Sequence, residues 1–186
     1  MTSKATQFPD MWVDPEDDPR QDQGPSPVGE RETLLEYLNY QRRTLEMKCD
    51  GLDPEQLARR SVEPSTLSLL GLVRHLAKVE HVWFRITMAG EQIPRLYSTD
   101  DDRGADFDGA VADPEVVTEA WESWHREVAF AEHFVAEAST LDLMSTHPTR
   151  DPISLRELLV HLIEEYARHN GHADLLRERI DGRTGQ

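Results

Sequence analysis

The sequence predicts an all-α protein, a four-helix bundle with an extended N-terminal arm, on three observations. Four stretches place apolar residues at steps of three and four, the spacing of one helix face. Each stretch is bounded by capping or helix-breaking residues. No stretch alternates apolar and polar residues in the two-residue step of a strand. Amphipathic helices bury their apolar stripes against one another, and four of them make a bundle.

Residues 1–27 form the arm. Pro9, Pro15, Pro19, Pro25 and Pro27 stand there among Asp14, Glu16, Asp17, Asp18 and Asp22, a composition that holds no helix and builds no core. Phe8, Met11 and Trp12 are its apolar exceptions, available to pin it to the domain or to a neighbouring subunit. The bundle takes residues 28–182. From Gly29 to Cys49, Leu34, Leu35, Leu38, Leu45 and Cys49 keep helical spacing until Gly51 stops the first helix. A loop with Pro54 and Pro64 leads to the second, from Ser68 to Ala89, closed by Gly90 and Pro94. The next segment carries Asp100, Asp101, Asp102, Asp106 and Asp108 with Gly104 and Gly109, shows no periodicity and reads as a solvated loop. Its glycine falls at the wrong place for an EF-hand, and no Glu closes it. Asp113-Pro114 then starts a third helix, marked by Val117, Trp121, Trp124, Val128, Ala131 and Val135 and ending near Ser139. Ser154 and Glu157 have capping-box spacing, and Leu158, Leu159, Leu162, Leu176 and Ile180 carry the fourth helix to Gly182.

A chain of 186 residues is the size of one domain, and 38% hydrophobic residues can build its core without a metal. Any metal would therefore serve function. With 36 acidic and 20 basic side chains the net charge is −16, which opposes binding to nucleic acid and to anionic lipid. The N-terminus has no basic stretch followed by an apolar one, and no run approaches the roughly 20 apolar residues of a bilayer span. A cytoplasmic protein is expected. Cys49 stands alone, which excludes an intrachain disulfide and a multi-cysteine zinc site and leaves His, Asp and Glu as metal ligands. Among the basic residues Arg far outnumbers Lys, as in genomes rich in G and C.

The chemistry-bearing residues are those that interrupt the apolar seams. In the second helix Leu72, His75, Val79, Val82 and Ile86 form one stripe with an imidazole in it. In the fourth, Leu158, Leu162, Glu165, His169, Ala173 and Leu176 place an acid and an imidazole one turn apart on an inward face. A buried carboxylate needs a cationic partner, and a metal ion satisfies Glu and His together. Spacing alone allows His161 with Glu165, Glu165 with His169, or His169 with His172. His161 and His172 lie roughly 16 Å apart along the helix and cannot share one ion. A metal-free alternative is a buried Glu165–His169 ion pair with His75 nearby. His125 and His133, flanked by Glu122, Glu127 and Glu132, read as a solvated face. His147 precedes Pro148 in a loop. Trp83, Trp121 and Trp124 sit at packing positions, with Trp83 also able to line a pocket two turns beyond His75. No glycine-rich phosphate loop or nucleophile elbow is present.

The segments LSLLGLVRHLAKVEHVWFR at 67–85 and LVHLIEEYARHNGHADLLRERIDG at 159–182 resemble the DinB-like, YfiT-like superfamily of metal-binding four-helix bundles. The likeness covers residues 29–182 and is greatest to the actinobacterial branch of mycothiol-dependent enzymes. It implies metal ligands at His75, Glu165 and His169, with Asn170-Gly171-His172 where many relatives have Arg-Gly-Gln. The commoner triad is three histidines. Glu165 in the middle place resembles the mycothiol-dependent maleylpyruvate isomerases. His172 in place of Gln adds an imidazole that could act as a base beside the ligands or touch substrate. What the resemblance implies is a divalent ion, zinc before nickel, with open coordination positions and mycothiol as co-substrate. A metal-activated thiolate would attack a small electrophile in detoxification or isomerisation. Homodimers through bundle helices are common in such families. Two other readings use the same residues: a hydrolase in which His172 or His161 handles the proton, and a non-catalytic stress-response bundle locked by Glu165 and His169.

Overall fold

The computed structural model of the protein describes residues 12–20, 26–99, 101–102, 104–146 and 151–185. Its elements are helices: α1 (Glu30–Cys49), α2 (Pro54–Ala58), α3 (Leu69–Glu80), α4 (Ala105–Asp108), α5 (Pro114–Glu137) and α6 (Leu155–Asp181). Beside them are a 3₁₀ turn at Pro15–Asp17 and a π-helical continuation of α3 over His81–Met88. Helix starts follow the caps. The Ser68 hydroxyl accepts from the Gly71 amide, Asp113 from Glu115, and Ser154 from Glu157. The Asp53 and Gln56 pair closes a full capping box on α2, a short helix within the segment expected to be a loop. At the far end of α6, Gly182 takes φ 79°, the left-handed geometry that ends a helix.

The four long helices pack in two main pairs, α1 along α6 and α3 along α5, with α3 also touching α6 and α4. The apolar stripes meet as expected: Leu38, Leu45, Leu72, Leu76, Leu158, Leu162 and Leu176 are all buried. Each such leucine contributes about 1.5–3 kcal/mol by leaving water. No described helix is long and apolar enough to cross a membrane.

The second long helix departs from its expected face. At His81 the bonding widens to the π pattern, with the Ala89 amide reaching back to the Phe84 carbonyl at 2.9 Å. Each i to i+5 bond puts an extra residue in the turn, so the buried line rotates. His81, Phe84, Thr87 and Met88 face the core, while the expected Val82 and Ile86 are only half-buried.

A polar chain runs through the core. The Arg42 guanidinium lies 2.8 Å from Oε1 of Glu80, the Tyr166 hydroxyl donates to the same oxygen at 2.9 Å, and the Trp124 indole donates to Tyr166 at 2.8 Å. The Glu80 carboxylate thus joins α1, α3 and α6, and Tyr166 passes the chain on to Trp124 of α5. Burial pushes the Glu80 carboxyl up against the pull of Arg42 and raises the Tyr166 phenol well above its usual range. Glu127 also points inward and is buried, so it does not belong to the solvated face expected for it. It holds Arg85 at 2.6 Å and His81 at 3.3 Å.

Phe8 and Met11 lie outside the described residues. Trp12 is buried at 3% exposure, packed beneath Lys48, Arg177 and Arg183 at 4.0, 5.2 and 3.9 Å from its ring. These cations belong to α1, α6 and the residues just after α6. The tryptophan therefore pins its segment to its own chain, and Pro15–Asp17 adds one 3₁₀ turn there.

Candidate metal centre

His75 comes from the middle of α3, and Glu165 and His169 come from successive turns of α6. Because α3 packs on α6, one donor atom from each of the three lies within 4.8 Å of the others. The His169 and Glu165 atoms are 3.4 Å apart, and the rings of His75 and His169 meet edge to face at 4.7 Å. Bonds of about 2.0–2.2 Å in a tetrahedral site put donors roughly 3.4 Å apart, the separation of the His169–Glu165 pair, and with His75 inside 4.8 Å the three side chains could hold a divalent ion. Burial, then the nearby His75, His172 and Arg168, lower the His169 pKa to about 4. His169 is thus neutral at pH 7, as a ligand must be.

Two of the donors, His75 and His169, have a second side chain against them. Nδ1 of His75 lies 2.8 Å from Oδ2 of Asp106, and Phe107 stacks on the same ring at 5.1 Å. Asp106 was expected in a solvated loop; instead it sits in α4 at 1% exposure, also paired with Lys78. Burial works against its charge, but the bonds from His75 and Lys78 prevail and hold the carboxyl below its usual range. Arg74 fastens α4 by donating to the carbonyls of Asp106 and Ala105 at 2.9 and 3.1 Å. Gly71 makes room for that contact, since a Cβ there would sit 2.8 Å from the Phe107 ring. On the opposite side, Nδ1 of His172 is 3.4 Å from Nδ1 of His169. His161 stands 3.9 Å from the other oxygen of Glu165. It is not part of the close set of three.

Beyond His161 opens a cleft of about 490 Å³, lined by Trp83, Ile153, Val160 and His161 together with the charged Arg156, Glu157 and Glu164. The Trp83 and His161 rings meet at 4.8 Å. The cleft therefore adjoins the donor set through the His161 imidazole. A family model described as mycothiol-S-transferase matches residues 33–182. The chain belongs to the mycothiol S-transferase family. No curated protein matches the sequence significantly.

Within this mycothiol S-transferase fold, His125 and His133 are exposed and away from the donor set, as a solvated face requires. Trp121 and Trp124 pack edge to face at 5.6 Å, the structural role expected of them. His147 lies outside the described residues. Two buried acids not expected from the sequence are Asp106 and Glu80. Asp106 sits in an aperiodic acidic run where nothing separates it from its solvated neighbours. Glu80 did carry a signal, because an acid four residues after Leu76 extends the apolar stripe of α3.

Proposed function

We propose that this chain is a divalent-metal-dependent mycothiol S-transferase of the cytoplasm that joins the mycothiol sulfur to a small electrophile. The observation that carries the reading is the convergence of His75, Glu165 and His169 within 4.8 Å in a chain of this family. A divalent ion held by these three, with zinc the first candidate and nickel the next, would lower the pKa of a thiol and keep it as thiolate at neutral pH.

The chain's own sulfur supports an external thiol. Cys49 is buried, and burial pushes its pKa up to about 12, which keeps this sulfur as a thiol at neutral pH. In the reaction the thiol proton leaves, a sulfur–carbon bond forms, and the leaving group departs with its bonding electrons. His172 is the candidate base for the proton because it is an imidazole beside the three donors and not one of them; its own contact is with Nδ1 of His169, the ring atom turned away from Glu165. Trp83 and Val160 are assigned to bind the electrophile through its apolar part.

The test is elemental mass spectrometry of untagged protein beside turnover of mycothiol with a panel of haloalkyl acceptors. About one equivalent of metal is expected in wild type, with metal and turnover lost together in His75→Ala, Glu165→Ala and His169→Ala while the helical signal stays. Full turnover by His75→Ala would overturn the reading, and turnover of esters or amides without any thiol would assign the site to hydrolysis instead.

A further inference from the structure

We propose that Asp106 is the positioning residue of the metal centre: its carboxylate holds the His75 proton on Nδ1 and thereby presents Nε2 as the ligand atom. This rests on the metal reading of the three donors given above. A neutral imidazole has two tautomers, and only the one protonated at Nδ1 leaves Nε2 free for an ion. The 2.8 Å contact from Nδ1 to Oδ2 selects that tautomer.

The surroundings indicate a built arrangement. Asp106 belongs to a strongly acidic segment, yet its side chain is 1% exposed while Asp101, Asp102 and Asp108 remain exposed. Burying a carboxylate is costly, and Oδ1 of Asp106 has no hydrogen-bond partner among the described residues. A lone ion pair with Lys78 would not need His75 as a second donor to the same oxygen. The His75 ring is also clamped by Phe107, so one short helix fixes both its tautomer and its plane. Arg74, one residue before His75, ties that helix back to α3 through two backbone carbonyls. The orientation of the ligand is thus set by a segment about thirty residues further along the chain.

The experiment uses the full chain and zinc itself. Zinc affinity is measured by competition with a chromophoric chelator for wild type, Asp106→Asn, Asp106→Glu and Asp108→Asn. Nitrogen-15 NMR reads the His75 tautomer in metal-free protein. Asp106→Asn should bind zinc about 10–100-fold more weakly, and Asp106→Glu should recover part of the loss. Asp108→Asn, which alters an exposed neighbour on the same helix, should match wild type. His75 should carry its proton on Nδ1 in metal-free wild type and become a mixture in Asp106→Asn. Zinc affinity equal to wild type in folded Asp106→Asn, or an Nε2-protonated His75 in wild type, would overturn the role of Asp106 alone. Wild type that binds no zinc would overturn the metal reading and this role with it. Should Asp106→Asn fail to fold, the wild-type tautomer and the Asp106→Glu affinity still decide.

Discussion

The Tyr166 hydroxyl donates to Oε1 of Glu80 at 2.9 Å, and both side chains are sealed from solvent at 0% exposure. The same oxygen carries Arg42, so one carboxylate joins α1, α3 and α6, and Trp124 extends the chain to α5. Removing one member of a buried ion pair strands the other. Arg42→Met should therefore lose about 3–5 kcal/mol in urea unfolding. The double variant Arg42→Met with Glu80→Gln should lose less than the sum of the two single changes. An unchanged unfolding midpoint in Arg42→Met would show that the carboxylate does not depend on its cation.

Glu127 makes the fold sensitive to acid. Burial opposes its charge, but bonds from His81, Arg85 and Arg126 and the Arg85 charge outweigh that and bring its pKa from 4.5 to about 2. A depressed carboxylate stabilises the fold above its unfolded pKa and loses that contribution as pH falls through the folded value. The loss should run from pH 4.5 down to about 2 and amount to at most about 3 kcal/mol. Urea titrations at descending pH should show a shallower decline in Glu127→Gln. Equal slopes in both proteins would remove Glu127 as the source.

Trp83 stands in the cleft wall against His161, outside the close donor set. Trp83→Ala should raise KM for an apolar acceptor about 10-fold, the scale of one lost aromatic contact, while bound metal stays at the wild-type level. A fall in kcat with KM unchanged would place Trp83 in the chemical step instead.

Trp12 carries three cations on one ring, from α1, α6 and the segment after α6. Trp12→Ala should cost about 3 kcal/mol, the low end for truncating a buried tryptophan, and should speed proteolysis of the N-terminal segment. Proteolysis at the wild-type rate would mean that other residues hold the segment.

Much of the site was legible because helical spacing is a local property. His75, Glu165 and His169 each break an apolar stripe, and a polar side chain on an inward face is visible in the sequence whatever it contacts. Asp106 had no such mark. Its burial comes from α4 docking on α3 through Arg74 and Gly71, which are distant in sequence and ordinary in type. Glu127 was read as solvated because acids flank it on the same helix, while the Arg85 and His81 that bury it lie on another.

Sequence alone showed the class of the protein: four amphipathic helices, their caps, the acidic charge, the lone cysteine and the polar residues that interrupt the apolar stripes, of which the family resemblance picked out His75, Glu165 and His169. Those features follow from side-chain periodicity and composition, which need no knowledge of neighbours. The π turn that rotates the end of the second long helix, the burial of Asp106 behind His75 and the approach of His75 to Glu165 and His169 came from the tertiary structure. Each depends on which helices pack together and at what rotation. A shift of one residue in a helix turns a side chain by about 100°, enough to move it from the core to solvent, and packing alone sets that angle.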